Sequence, residues 1–232
     1  MTRRITEPRI RLVAGIDVGA ARNGYNAVAL RDGALLASCA MLDAEALARW
    51  CVELGVRHVG VDAPSRWSAD GRRRASERAL AAAGISCFAS PTRAAALAHE
   101  AAAAHAGKAG WYGWMFEGER IYAALRRELP LLHGARDDAV MARCCLETFP
   151  QAVACALAGR IVSAKDKRRV RRDLLAAAGI DTTTLRAIDH VDAALCALAA
   201  DAYARGRWHG YGNREDGWIV VPEAASRSPG EA

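Results

Sequence analysis

The chain has 232 residues, 52% of them hydrophobic, which is enough core for one large domain or a domain carrying an insertion. Its formal net charge of +6 permits an anionic partner such as nucleic acid without demanding one. No stretch approaches the roughly 18 uninterrupted apolar residues of a membrane span, and the basic start MTRRITEPRIR lacks the apolar centre of a signal peptide; a cytoplasmic protein without a membrane partner is expected. The seven cysteines are odd in number and include no C-x-x-C pair, so reduced, packing thiols are expected rather than a disulfide framework or a zinc site.

Residues 1–10 read as a flexible basic arm, and 11–221 as a single domain. Leu12 to Leu30, LVAGIDVGAARNGYNAVAL, is the stretch around which the rest is organised. It places Asp17 inside an apolar strand of about Leu12 to Val18, and a carboxylate there needs a cationic side chain, a set of hydrogen-bond donors or a metal ion. A second strand follows from Tyr25 to Leu30. Asp32-Gly33 between two β-type runs is a hairpin signal, which makes Ala34 to Met41 a third strand. From Asp43 the pattern turns helical, with Leu47, Trp50, Cys51 and Leu54 on one face and Gly55 as the stop. Val56 to Val61 is a fourth strand, ended by Asp62-Ala63-Pro64, and the strand, helix, strand order requires a crossover to a parallel pair.

Residues 65–84 form a polar loop containing Arg72, Arg73 and Arg74 that runs into a helix, and Ile85 to Ser90 reads as a fifth short strand. About 92–140 is alanine-rich and helical, an insertion that caps the sheet and carries the aromatic segment GWYGWMFEGERIYAALRREL. Met141 to Phe149, containing Glu147, is either a strand or a helix end. After a short helix, the basic run Lys165 to Arg172 enters a helix stopped by Gly179, and a last long helix spans about Leu185 to Arg205. Trp208 to Val221 forms a small hairpin, and 222–232 reads as a disordered tail.

The last helix bears most on chemistry. At 100° per residue, Ile188, Val191, Leu195, Leu198, Ala199 and Ala202 form one stripe, and Asp192 lies within it; Asp189 is one turn earlier on the same flank. Carboxylates held close together are either partly protonated or occupied by cations. Asp17, Asp62, Asp189 and Asp192, all on core-facing elements, suit hard divalent ions such as Mg²⁺ or Mn²⁺.

The motifs GIDVGAARNGY, VGVDAPS, ETFP and DHVDAALCALAA are similar to the motif series of the DUF429 family, described as predicted nucleases of RNase H-like fold. The likeness covers about Val13 to Ala200. The first and last motifs also resemble RuvC-type Holliday junction resolvases, in which a Gly-Ile-Asp-x-Gly strand and an Asp-x-x-Asp-Ala helix supply metal ligands. The resemblance implies an α/β, RNase H-like fold: a five-stranded mixed sheet, three antiparallel strands followed by two parallel ones, with helices on both faces. It implies Asp17 as a ligand bridging two Mg²⁺ or Mn²⁺ ions, Asp62 where the resolvases carry a glutamate, and Asp189 and Asp192 as the terminal pair. Glu147 belongs to the DUF429 pattern alone. Two-metal phosphodiester hydrolysis of DNA or RNA is the function so implied, with a homodimer as in the resolvases.

Each residue also has a structural reading. Asp17 can cap the turn that follows it, Asp62 can be a turn residue, Asp189 can favour the helix dipole, and Glu147 can support the ligands rather than join them. His190 reads as a helix-surface histidine. Arg72 to Arg74, Lys165, Lys167, Arg168 and Arg169 are either solvated or track a phosphate backbone, and Trp111, Tyr112 and Trp114 either stack bases or fill the core. Two other functions share these features: an RNase H-like module that binds nucleic acid or protein without cleavage, and an actin-like phosphotransferase. The second expects a further Asp-x-Gly phosphate motif, which the chain lacks.

Overall fold

The alternating segments at the start of the chain form three strands, β1 (Leu12–Val18), β2 (Tyr25–Arg31) and β3 (Ala34–Met41), in a computed structural model that describes residues 10–133 and 139–224. The basic arm expected over 1–10, apart from Ile10, and most of the expected tail lie outside the described residues. β2 and β3 join through Asp32 and Gly33, both at positive φ (51° and 88°), the left-handed pair that a two-residue hairpin requires. Helix α1 (Ala44–Glu53) opens on Asp43, whose carboxylate accepts from the Ala46 amide at 2.6 Å, and stops at Gly55, φ 76°. It delivers the chain to β4 (His58–Asp62), parallel to β1.

Next come helices α2 (Ala75–Ala82), α3 (Arg93–His105) and α4 (Gly113–Leu125), strand β5 (Cys144–Thr148), helices α5 (Pro150–Ala158), α6 (Lys167–Ala177) and α7 (Ile188–Ala204), and the hairpin β6 (Trp208–Asn213) and β7 (Gly217–Pro222). The sheet has seven strands in the order β3-β2-β1-β4-β5-β7-β6, not five. One expected strand fails here. Residues 85–90 are not a strand, because the edge of β4 is already paired to β5 and the segment is instead held by the Ser90 amide donating to Glu77 at 3.1 Å. The expected terminal hairpin forms, and its β7 pairs in parallel with β5 and extends the sheet.

One face of the sheet packs against α7, with α5 and α6 outside it; the other is covered by α1 and α4. The expected insertion thus divides: α4 puts Ile121, Tyr122 and Leu125 into the core, whereas α3 buries Ala96 alone.

The seat of α7 is set by two glycines side by side, Gly15 on β1 and Gly60 on β4. A methyl group on Gly15 would stand 2.0 Å from the Ala193 carbonyl oxygen, and one on Gly60 would stand 2.3 Å from that of Cys196. The helix backbone therefore lies directly on the sheet. Gly15→Ala is expected to destabilise by about 1–3 kcal/mol or more, lowering the melting temperature by roughly 2–12 °C in a domain of this size. A thermal melt that did not move would mean that α7 is not in contact with β1 at this point.

Candidate active site

Two residues beyond the glycines, on the same side of the sheet, stand Asp17 and Asp62, which are direct partners in the parallel register of β1 and β4. Both sit at the carboxyl ends of parallel strands, where open α/β sheets bind their ligands. Over the glycines lies Cys196 of α7, and four residues back along the helix Asp192 faces the strand pair, 6% exposed. Asp189, in the first turn of α7, is exposed. His190 is half-buried beside it. Because the glycines fix helix against strands, they also fix Asp192 against Asp17 and Asp62.

The electrostatics show how close these acids are. Burial, with the charges of Asp62, Asp192 and Asp189 added, pushes Asp17 from its ordinary 3.8 up to about 9. Burial, then Asp192, pushes Asp62 up to about 7, with Arg171 opposing. Neither carboxylate is hydrogen-bonded or ion-paired to any described residue. Asp192 differs. Burial raises it as well, but the Arg171 guanidinium donates to it, and the Lys167 ammonium stands 3.9 Å away. Arg171 is itself buried, donates to Gln151 at 3.1 Å and leaves its Nε without a partner among the described residues. These two cations of α6 sit against Asp192, whereas the upward shifts of Asp17 and Asp62 favour their protonated forms.

Lys167 belongs to the expected basic face, whereas Arg171 is a site residue that the basic run alone does not single out, although the chain carries a signal for it. On α6, Arg171 lies four residues before buried Leu175, so the apolar stripe already turned it inward.

Glu147 takes a different place from the four aspartates. It aligns with Val61, one residue short of Asp62, so pleating sends its side chain to the opposite side of the sheet. There it accepts from the Ser65 amide and hydroxyl, both at 2.8 Å, and from two nitrogens of Arg74 at 2.9 and 2.5 Å. Arg74 also donates to Glu77 at 2.9 Å. Glu147 is thus a buried counter-ion of Arg74, which agrees with the structural reading of this residue. Arg74, expected on a nucleic-acid face, is 4% exposed and faces these two glutamates instead. Arg72 and Arg73 remain exposed.

Around the acids the surface has two characters. Lys165, Lys167, Arg168 and Arg169 are exposed and line an open groove of about 620 Å³ that runs to Ile188 at the start of α7. On the α4 side, Trp114 is half-buried while Trp111 is 70% exposed, so the aromatic segment is divided between packing and surface. Among the described residues, no three His, Cys, Asp or Glu side chains converge closely enough as placed to hold a metal ion. All seven cysteines are free.

The model of the family named Protein of unknown function (DUF429) matches residues 15–216, which runs from Gly15 within β1 through the α7 acids to the turn after β6. The chain belongs to the DUF429 family. No curated protein and no solved structure matches it. The DUF429 match spans Asp17, Asp62, Glu147, Asp189 and Asp192 alike, as well as α6 with Lys167 and Arg171. Among the described residues of this DUF429 protein no helix is long and apolar enough to cross a membrane.

Proposed function

We propose that this DUF429 protein is a metal-dependent nuclease of RNase H-like fold that hydrolyses phosphodiester bonds with Mg²⁺ or Mn²⁺. The observation that carries the reading is the pair Asp17 and Asp62: two adjacent carboxylates without a hydrogen-bond or ion-pair partner among the described residues, raised to about 9 and about 7 by burial and then by the neighbouring acids. An all-oxygen donor set of this kind fits a hard divalent ion. The strand order β3-β2-β1-β4-β5 supports the fold reading, since it is the three antiparallel and two parallel strands implied by the sequence resemblance, with the β7-β6 hairpin added at one edge.

Bound ions would supply an ionised water at neutral pH and neutralise the charge developing on the leaving oxygen. The protein's own part is positional. Asp17, Asp62 and Asp192 would hold the cation, which would release Arg171 and Lys167 from Asp192. Those two cations are then free to face the phosphate, and Lys167, exposed on the wall of the basic groove, is the nearer to solvent. Asp189, exposed in the first turn of α7, completes the set from the solvent side.

A second reading, a non-catalytic nucleic-acid-binding module, is favoured by one observation: Asp192 is already neutralised by Arg171. The two separate in a cleavage panel of single-stranded DNA, duplex DNA, a four-way junction, single-stranded RNA and an RNA–DNA hybrid with Mg²⁺ or Mn²⁺. Cutting by the wild type that disappears in Asp17→Asn and with chelator is the result expected of the nuclease. Tight binding without any cutting, together with equal Mn²⁺ heats for wild type and Asp17→Asn in calorimetry, would replace it with the module.

A further inference from the structure

Two unlike surfaces meet at the acids. On one side, Lys167 reaches from the wall of the basic groove to within 3.9 Å of Asp192. In that groove Arg169 is paired with Asp173 at 3.2 Å, and Arg172 donates to the Thr182 carbonyl at 2.9 Å. Lys165 and Arg168 have no ion-pair partner among the described residues. On the other side, Asp62 shares a cavity of about 60 Å³ with Phe88, Trp114 and Phe149. Phe88 is 46% exposed, and its ring meets those of Tyr112 and Trp114 near edge-on, with centroids 5.8 and 6.2 Å apart. These neighbours brace the ring without covering it.

We infer that the site accepts an unpaired nucleic-acid strand, with phosphates along the α6 groove and a base beside the scissile phosphate stacked on Phe88. The inference rests on the nuclease reading and narrows its substrate. The groove is complementary in charge to a phosphate backbone, and a braced, exposed ring offers the face on which a base stacks. The cavity beneath is too small to swallow a base, so the base lies across its mouth. In a duplex both faces of every base are covered by neighbours, and Phe88 has nothing to bind.

The test is fluorescence anisotropy with labelled single-stranded DNA, single-stranded RNA and the corresponding duplexes, using wild type, Phe88→Ala and Phe88→Trp, with Ca²⁺ replacing Mg²⁺ to hold the strands intact. Thermal melting checks each fold. Single strands are expected to bind at least about tenfold more tightly than duplexes. Phe88→Ala should weaken single-strand binding by about 5–150-fold, the range of one lost base–aromatic stack, while leaving duplex binding unchanged. Phe88→Trp should bind like wild type. The DNA and RNA arms identify the sugar. Duplex binding equal to single-strand binding, or a folded Phe88→Ala that binds single strands as wild type does, overturns the inference; Asp17-dependent cleavage of duplex would still leave the nuclease reading standing. If no nucleic acid binds at all, the nuclease reading itself falls.

Discussion

Asp17→Asn is expected to act in opposite directions on catalysis and on stability. Metal-dependent cleavage should fall by more than about a hundredfold, since loss of a group that merely supports a ligand already reaches that range. The metal-free protein should at the same time become more stable at neutral and alkaline pH. Asp17 is raised from 3.8 to about 9 in the folded protein, so the folded state holds its proton more tightly than the unfolded chain does. By linkage that contribution is fully present below pH 4 and is lost progressively as pH rises toward 9. Metal-free wild type should therefore lose stability across this window, with Asp62, raised to about 7, adding to the loss. An amide at position 17 carries no such proton, so the melting temperatures of wild type and Asp17→Asn should diverge as pH rises. Saturating Mn²⁺ should lift wild type and leave the variant unmoved. Its affinity for wild type should increase with pH, because the ion displaces protons that the acids hold ever less tightly. Parallel melting-temperature profiles for the two proteins from pH 5 to 9 would refute the charge cluster. A variant that still gained stability from Mn²⁺ would remove Asp17 from the metal site.

Glu147→Ala should produce the largest loss of stability among these variants, about 3–5 kcal/mol, or roughly 6–20 °C in melting temperature. The carboxylate lies in a buried network with Arg74, Glu77 and Ser65, and its removal leaves the Arg74 guanidinium with one remaining acidic partner and the Ser65 amide without its acceptor. Metal affinity separates this role from ligation: Glu147→Gln should bind Mn²⁺ as wild type does, since the side chain leaves the sheet on the side away from Asp62. A calorimetric titration without heat for Glu147→Gln would return Glu147 to the ligand set. A melting temperature unchanged in Glu147→Ala would show that the network contributes nothing.

Features carried by neighbouring residues were legible in the sequence. The Asp32-Gly33 turn, the Asp43 cap with the Gly55 stop, and the inward face of Asp192 on the last helix each follow from local rules of turn geometry, capping and 3.6-residue periodicity. So did the need of Asp17 for a counter-charge, which a carboxylate in an apolar strand announces by itself. The family could be recognised from its short motifs for the same reason.

Only the tertiary structure decided which distant segments became neighbours. Residues 85–90 have the composition of a strand, but the place beside β4 went to β5, because an edge can pair once and side-chain pattern does not say with whom. The alignment of Glu147 with Val61 rather than Asp62 made it the counter-ion of Arg74, on the side of the sheet away from Asp62. One residue of register reverses the face of every side chain on a strand, and that register is set by hydrogen bonds to chain far away. Arg171 met Asp192 because α6 packs on α7, an encounter across 21 residues that no single-helix pattern encodes. The sequence by itself determined that Asp17 and Asp192 lie on core-facing elements, though not that Asp189 is exposed; the packing of α7 on Gly15 and Gly60 set Asp192 against the strand pair, because backbone-to-backbone contact holds the helix close to the two strands.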